Sequence, residues 1–236
     1  MPKLLVVTPV KNALANTLET CKAIASSSVE VTHVVYNDFS DDSTKWGLEK
    51  AKQVYGFELV HLEDLTNHPS PNYKLVLQLA QKRALEMGLP FVVVESDVTV
   101  GSTTLENLLE HCVREEGLGL VGAVTTDASG RINYPYEKFK SFTGAYCDTK
   151  RSLSFCCTLM TPSFLSAFSF EELNDTKDWY DTFISKKALA LNFFNRVVFD
   201  TPVIHKPHSS RPWKLLKYSN PLKYYLEKLL KRRDKI

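Results

Sequence analysis

The sequence lacks a long hydrophobic run. Its beginning, MPKLLVVTPVKNALANT, has only a short apolar segment before Lys11, too brief for the hydrophobic region of a signal peptide or for a transmembrane helix. We therefore expect an intracellular protein. Paired cysteine motifs are missing as well, because the five cysteines are odd in number and form no C-x-x-C pair. The sequence accordingly predicts reduced cysteines that serve as packing residues, and neither a disulfide framework nor a zinc site.

Internal repeats, low-complexity segments and an extreme net charge are also absent, which excludes repeat and disordered proteins. With 236 residues, 44% of them hydrophobic, the chain is long enough to bury a full core. The net charge of +2 is unevenly distributed: eight basic and two acidic residues follow Trp213, so this tail carries +6 and residues 1–213 carry −4. Since the net positive charge is confined to the tail, a nucleic-acid-binding surface is not expected.

Hydrophobic periodicity predicts strands that alternate with helices. The predicted strands are residues 3–9, 30–36, 57–62, 90–95, 118–124, 153–160 and 196–205. The predicted helices begin near Leu14, Ser43, Leu105 and Pro162 and cover residues 73–87, 178–191 and 220–236. Residues 125–151 form an irregular segment that we interpret as a functional loop region. Such alternation is typical of a mostly parallel sheet, whose ligands bind beyond the carboxyl ends of the strands.

Polar side chains follow two of these strands. Glu95 and Asp97 come directly after the apolar residues 91–94, and Asn37 and Asp38 end the second strand. Carboxylates at adjacent strand ends predict a shared cleft for a charged ligand and a cation. The alternative is that Glu95 and Asp97 only cap the next helix. We disfavour it because the residues just before that helix, GS at 101–102, already supply a turn and a cap.

Three motifs in these positions resemble those of GT-A fold glycosyltransferases of family 2. PVKN at residues 9–12 matches the family's P-x-x-N turn, NDFSDD at 37–42 matches D-D-x-S-x-D, and ESD at 95–97 matches D-x-D. The order and spacing agree over roughly residues 3–206. The resemblance implies an α/β, Rossmann-like GT-A fold: a mostly parallel sheet with helices on both faces. It also implies a domain over 1–213, with a nucleotide-binding half at about 1–125 and an acceptor-binding half at about 126–213. Residues 214–236 would form a separate C-terminal amphipathic helix.

The resemblance assigns roles to the residues of the cleft. Asp97 is the expected direct ligand of Mn²⁺ or Mg²⁺, and Glu95 reaches the ribose or a metal-bound water. Asp38 is expected to form a hydrogen bond with the nucleotide base. UDP is the expected nucleotide, because of its frequency in the family. The predicted nucleotide-binding residues are Thr8, Pro9, Asn12, Asn37, Asp38, Glu95 and Ser96. His205 is a second candidate metal ligand; alternatively it is a hydrogen-bonded histidine at a strand end.

A general base is expected downstream, where the family has an E-D-type motif. Asp178 matches its first acid, Trp179 replaces its second, and Asp181 follows three residues later. Asp178 and Asp181 are both candidates, because positions i and i+3 share one helix face. Of the two, Asp178 is preferred. Burial beside Trp179 would raise the pKa of such a carboxylate toward that of a useful base. Either residue could instead be a helix cap or a solvated carboxylate.

Two segments near the end of the chain are basic. Lys206, His208 and Arg211 lie in a Ser/Pro loop and are candidates for a lid over the diphosphate, solvated charges being the alternative. The tail has an apolar stripe of Leu222, Tyr225, Leu226, Leu229 and Leu230. Such a basic amphipathic helix suits an anionic membrane surface, so we expect a cytoplasmic protein, peripheral on the cytoplasmic face of the membrane. The alternative is that the stripe packs on the domain.

Together these observations predict an inverting, metal-dependent glycosyltransferase. It would move a sugar from a nucleotide-diphosphate donor to a glycan or lipid-linked acceptor, in polysaccharide or glycolipid biosynthesis. The second hypothesis is a non-catalytic GT-A domain that binds nucleotide or membrane as a scaffold, since Trp179 and Glu95 depart from the family pattern. A nucleotidyltransferase of similar fold is disfavoured, because the first strand is not followed by a glycine-rich loop.

Overall fold

Strands and helices alternate along the chain, as the hydrophobic pattern predicts. The computed structural model describes residues 3–174, 179–206 and 220–231. The strands are β1 (Leu4–Val10), β2 (Val31–Asn37), β3 (Glu58–His61), β4 (Phe91–Val94), β5 (Val98–Thr99), β6 (Leu118–Thr126), β7 (Tyr146–Thr149), β8 (Cys157–Met160) and β9 (Phe194–His205). The helices are α1 (Leu14–Ala25), α2 (Asp42–Tyr55), α3 (Tyr73–Met87), α4 (Thr104–Arg114), α5 (Pro162–Ala167), α6 (Tyr180–Ala190) and α7 (Pro221–Lys231).

The strands form one sheet in the order β3-β2-β1-β4-β8-β6-β9-β5, and β7 also pairs with β9. The shared direction of β1, β2, β3, β4, β6 and β9 makes the sheet mostly parallel. The antiparallel strand β8 is inserted between β4 and β6. The predicted sheet type is therefore confirmed, and the sheet runs through both predicted halves of the chain.

Helices cover both faces of the sheet. One hydrophobic cluster joins α3, α5 and α6 to the sheet. A second cluster joins α4 and the end of α1 to the opposite face, and a third packs α1 and α2 against β1 and β2. Because both faces are covered, the carboxyl-end edge of the parallel strands is where a ligand can reach several strands at once.

Polar residues fix the starts of α2, at this edge of the sheet, and of α5, at the opposite edge. Asp41 precedes α2 and accepts a hydrogen bond from the Thr44 amide at 2.7 Å, and α2 ends at Gly56 in the left-handed region. Thr161 caps α5 in the same way, followed by a proline in the first turn. These are preferred residues for helix N-caps and for a left-handed C-terminal position.

Two predicted boundaries are wrong. The strand predicted from residue 153 begins at Cys157, because the amides of Leu153 and Ser154 donate to the hydroxyls of Ser185 and Tyr136 and not to a neighbouring strand. The helix predicted from residue 178 begins at Tyr180, after an extended residue at 179. The short strands β5 and β7 are not predicted from the sequence at all.

The tail forms the predicted helix, α7. Asn220 begins it by accepting a hydrogen bond from the Lys223 amide at 3.1 Å, and a proline follows at the first helical position. Of the predicted stripe, Leu222, Tyr225 and Leu226 are exposed, by 84%, 57% and 63%. No helix in the described part of the chain combines the length and apolar character that crossing a bilayer requires.

Candidate active site

The loop before α3 holds the carboxylate of Asp38. Ser70 donates its hydroxyl to one oxygen at 2.6 Å, and Asn72 donates its backbone amide at 2.9 Å and its side-chain amide at 2.8 Å. An ionised carboxylate has about four acceptor positions, so these three bonds leave roughly one for a ligand. Asp38 therefore fixes this loop at the end of β2, at the predicted nucleotide side of the cleft.

Asn12 joins the turn after β1 to the turn after β2. Its amide donates to the Ser40 hydroxyl at 2.8 Å, and its side-chain oxygen accepts from the Asp41 amide at 3.0 Å. Asn12 and Phe39 both have a positive φ, 56° and 54°, a conformation that asparagine tolerates better than most residues. The Lys11 amine also donates to the Phe39 carbonyl. The two turns therefore form one connected surface at this edge.

Two of the predicted nucleotide-binding residues are buried within the sheet. The Thr8 hydroxyl lies 3.0 Å from His33 Nε2, and burial lowers the pKa of His33 to about 3. The Asn37 side chain bonds His61 Nδ1 at 2.9 Å, and both Thr8 and Asn37 have no exposed surface. Pro9, by contrast, is partly exposed. Thr8 and Asn37 thus support the floor of the cleft, and Pro9 belongs to its surface.

The D-x-D-like segment connects β4 to β5. Glu95 continues the β4–β8 ladder by donating its amide to the Cys156 carbonyl at 3.0 Å, and Ser96 is partly buried between the two acids. Asp97 is buried, and its carbonyl accepts a hydrogen bond from the Lys206 amide at 2.9 Å. Pairing of β5 with β9 places His205 Nε2 at 3.8 Å from Asp97 Oδ1. The structure therefore brings Glu95, Asp97 and His205 together.

The orientation of His205 suits metal ligation. Its Nδ1 lies 3.0 Å from the Tyr134 carbonyl, which can only accept a hydrogen bond, so Nδ1 carries the proton. In a neutral ring the lone pair is then on Nε2, the atom that faces Asp97. Carboxylate oxygens and an imidazole nitrogen are ordinary ligands of Mn²⁺. The residues present therefore fit a divalent cation.

The sequence analysis missed Cys156 as a member of this site. Its thiol donates to Glu95 Oε2 at 3.6 Å and lies 3.2 Å from the Ser154 hydroxyl. Among the described residues, ligand atoms of Glu95, Cys156 and His205 all lie within 4.8 Å of one another. All five cysteines are free, and burial raises the pKa of the Cys156 thiol well above its usual value. The position of Cys156 follows from the insertion of β8 beside β4, which no local pattern indicates.

Asp181 lies in the first turn of α6 and has an unusual carboxyl group. Burial raises its pKa to about 6, the hydrogen bond from the Thr182 amide opposes this shift, and the charge of Glu95 adds to it. The charges of Glu95 and Asp181 also raise the pKa of Tyr73, after the larger effect of burial. Asp181 is thus close enough to Glu95 for their charges to interact. A carboxylate with a pKa near 6 can accept a proton at neutral pH.

Several predicted residues cannot be compared with the structure. Asp178, His208 and Arg211 lie outside the described residues. The helix α6 begins at Tyr180, so Asp181 lies in its first turn. Lys206 is described, and its amine pairs with Glu19 on α1. The edge of the sheet therefore has two connected turns, a group of side chains that could hold a metal ion and one carboxylate with a raised pKa.

Comparison with known proteins gives matches in structure and none in sequence. No protein-family profile matches the chain, and no curated protein matches it. Its structure is similar to PcManGT, a mannosyltransferase from Pyrobaculum calidifontis solved with GDP-Man and Mn²⁺: the TM-score is 0.63 at 14% identity, over 100% of this chain and 65% of that one. It is also similar to residues 1–349 of TarS from S. aureus, with a TM-score of 0.63 at 20% identity, over 92% of this chain and 64% of that one.

The same part of TarS in complex with UDP gives a TM-score of 0.64 at 19% identity, over 91% of this chain and 63% of that one. The chain therefore spans less than two thirds of the length of each of these structures. At such identities the likeness concerns the fold, so membership of family 2 stays a prediction. The chain has the GT-A fold that its three motifs predict.

Proposed function

We propose that the protein is an inverting, metal-dependent glycosyltransferase. It would transfer a sugar from a nucleotide-diphosphate donor to a hydroxyl of a glycan or lipid-linked acceptor, in polysaccharide or glycolipid biosynthesis. The observation that carries this proposal is the placement of metal-ligand side chains and of Asp181, whose pKa is raised to about 6, at one edge of a GT-A sheet. The solved structures with GDP-Man and Mn²⁺ and with UDP support the nucleotide-sugar class of donor.

The nucleotide would occupy the connected turns after β1 and β2. Asp38 has about one remaining acceptor position for an N–H of the base, and Pro9 offers an apolar surface beside it. Asn12 keeps the two turns together. This side therefore supplies binding and orientation of the donor, and UDP is our first choice of nucleotide.

The residues at the end of β4 would hold a divalent cation, Mn²⁺ or Mg²⁺, through Asp97, Glu95 and His205. Such a cation stabilises the negative charge of a departing diphosphate. The protein's own contribution is to fix these ligands: the β5–β9 pairing positions His205 against Asp97, and the Tyr134 carbonyl sets the proton on Nδ1. Lys206, whose backbone amide bonds the Asp97 carbonyl, then leads into the segment of His208 and Arg211, our candidates for a lid over the diphosphate.

Asp181 would be the general base that deprotonates the acceptor hydroxyl. Its raised pKa makes the carboxylate a stronger proton acceptor than an exposed aspartate, and it is still largely ionised at pH 7. Attack from the side opposite the nucleotide would invert the anomeric centre. Asp178, which matches the family motif in sequence, is the alternative base.

A thermal-shift screen of UDP-sugars and GDP-sugars, with and without Mn²⁺, tests the binding part of this proposal. A ligand present at 100 times its Kd stabilises the folded state by about 2.7 kcal/mol, so the melting temperature should rise measurably for the correct donor. We expect the rise to require Mn²⁺ and to be lost in Asp97→Ala. Equal shifts with and without Mn²⁺ would remove the metal from the proposal, and no shift with any donor would contradict it.

A second candidate function is a GT-A domain that binds the donor without transferring the sugar. It is favoured by one observation: the position of the second acid is occupied by Trp179, which lies before α6 and is 45% exposed. Binding of a donor with no release of nucleotide, under any metal, would select this candidate over the enzyme.

A further inference from the structure

The thiol of Cys156 lies at the border between a hydrophobic cluster and the metal-ligand side chains. Glu95 and Cys156 are opposite each other in the continuation of the antiparallel β4–β8 pair, because the Glu95 amide bonds the Cys156 carbonyl at 3.0 Å. Opposite residues in such a pair project to the same side of the sheet. The side chains accordingly meet, with Cys156 Sγ at 3.6 Å from Glu95 Oε2. Cys157, the next residue, lies in the same hydrophobic cluster but does not belong to the group of ligand side chains found among the described residues.

The spacing of these side chains suits a single ion. Ligand atoms of Glu95, Cys156 and His205 are mutually within 4.8 Å. Around a tetrahedral ion with bonds of about 2.0–2.3 Å, ligand atoms are roughly 3.3–3.8 Å apart. To bind one ion, the ligand atoms would have to approach one another by about an ångström. Rotation of the side chains can provide this without moving the strands. His205 already presents Nε2 to the site, because its Nδ1 proton points at the Tyr134 carbonyl.

We propose that Cys156 is a further ligand of this site, so that Glu95, Cys156 and His205, with Asp97 beside His205, form a mixed oxygen, sulfur and nitrogen set that selects thiophilic divalent ions over Mg²⁺. Thiolate ligands favour Zn²⁺, Co²⁺ and Cd²⁺, whereas Mg²⁺ takes oxygen ligands in a near-octahedral arrangement. On binding, the S–H bond of Cys156 breaks, a sulfur–metal bond forms, and the proton passes to solvent. The inference deepens the proposed function, and rests on it only for the part that the ion plays in sugar transfer.

Absorption spectroscopy with Co²⁺ tests this inference on the full-length, metal-stripped protein, with and without UDP. A cysteine ligand gives a sulfur-to-cobalt charge-transfer band in the near ultraviolet, whatever the enzyme's activity. We expect this band in the wild type and in Cys157→Ser, and its loss in Cys156→Ser with a Co²⁺ affinity lower by about tenfold or more. Zn²⁺ should abolish the wild-type band at concentrations at which Mg²⁺ has no effect.

His205→Gln is a second variant, in case Cys156→Ser does not fold, and it too should lose the band or bind Co²⁺ at least about tenfold more weakly. Co²⁺ binding without the band, a band that survives in Cys156→Ser, or no Co²⁺ binding under either condition would each overturn the inference. Sugar transfer with Mg²⁺ and no cobalt band would remove the cysteine ligand and leave the proposed function intact. A cobalt band in a protein that turns over no donor would support the cysteine ligand and contradict the proposed function.

Discussion

Asp181 is the residue on which the proposed chemistry depends most. Its pKa of about 6 arises mainly from burial, with a contribution from the charge of Glu95. Because a general base acts in its ionised form, the transfer rate should be constant above pH 7 and fall about tenfold per pH unit below pH 6. A pH–rate profile of kcat/KM measures this acidic limb directly. A profile that is flat down to pH 5 would contradict the assignment of the base.

Replacing this carboxylate should separate binding from chemistry. Asp181→Asn nearly preserves the shape of the side chain, so donor binding should persist while kcat falls by about 10²–10⁴-fold, the usual contribution of a general base. The matched control is Asp64→Asn, on an exposed residue, which should keep full activity. The competing assignment is tested by Asp178→Asn: a loss confined to that variant would transfer the role to Asp178.

The same ionisable group gives a prediction for stability. A carboxyl with a raised pKa binds its proton more tightly in the folded state than in the unfolded state. The metal-free protein should therefore lose stability as the pH rises from about 4 to about 6 through this group, and Asp181→Asn should remove that loss. Urea unfolding of the wild type and of Asp181→Asn at pH 5 and pH 7 measures this loss of stability. An equal pH dependence in wild type and variant would contradict the raised pKa of Asp181.

At the scale of single residues, sequence motifs located the edge of the sheet but not its complete set of side chains. Glu95, Asp97 and His205 were predicted in the cleft, and the structure brings them together. Cys156 was predicted only as a packing residue. Its contact with Glu95, 61 residues earlier in the chain, depends on the insertion of β8 beside β4 and leaves no local pattern. The proposed choice of Asp181 over Asp178 depends on burial, which spacing alone does not give.

At the scale of secondary-structure elements, a buried arginine connects β7 to its surroundings. Arg196 on β9 is 4% exposed and bonds Asp148 of β7 at 2.7 Å and Glu115, just after α4, at 2.9 Å. Its guanidinium also lies 4.1 Å from the ring centre of Tyr146 on β7. The strand β7 has a single neighbour in the sheet, so these contacts hold it in place.

Arg196→Met should therefore destabilise the protein without affecting catalysis. The expected loss is about 1.5–3 kcal/mol in the free energy of unfolding, the range for hydrogen bonds to charged groups. It should not be larger, because Asp148 and Glu115 are 49% and 38% exposed and stay hydrated. Denaturant unfolding measures the change, with the exposed pair Arg131–Asp127 as control, where Arg131→Met should cost less than about 1 kcal/mol. An equal loss of stability in the two variants would show that the contacts of Arg196 contribute no more than an exposed ion pair does.

Elements with a strong periodic pattern were predictable, and those defined by distant partners were not. The helix predicted from Tyr73 to Met87 forms with those bounds, since its apolar positions repeat at helical spacing. The two residues of β5 contain no pattern of their own and become a strand only by pairing with the end of β9. That pairing is nevertheless the one that positions His205.

At the scale of the whole molecule, the tail combines a net positive charge with exposed apolar side chains. Residues 1–213 carry a net charge of −4, and the tail after them carries +6. Leu222, Tyr225 and Leu226 of α7 are exposed. This exposure favours the membrane interpretation of the stripe over packing against the domain. Each lysine or arginine near an anionic bilayer contributes about 1 kcal/mol, and the attachment should weaken as salt is added.

Replacing two exposed leucines tests this association in the full-length protein. Leu222→Glu combined with Leu226→Glu should weaken sedimentation with anionic liposomes by about 100-fold or more, since burying each leucine contributes about 1.5–3 kcal/mol. Leu85→Glu, at an exposed leucine of α3, should bind like the wild type. If the wild-type protein does not sediment with anionic liposomes at low salt, the membrane interpretation is wrong.

The most direct test of the central claim is a time-resolved NMR measurement of nucleotide-sugar turnover. The full-length protein is incubated with UDP-sugars and GDP-sugars and Mn²⁺, and both the released nucleotide and the anomeric configuration of the sugar product are followed from the first minutes. We expect nucleotide release from at least one donor, a product of inverted configuration, and loss of both in Asp181→Asn. Retention of configuration would contradict inversion, undiminished turnover in Asp181→Asn would contradict the proposed base, and no turnover of any donor would contradict the claim that this GT-A protein is an enzyme.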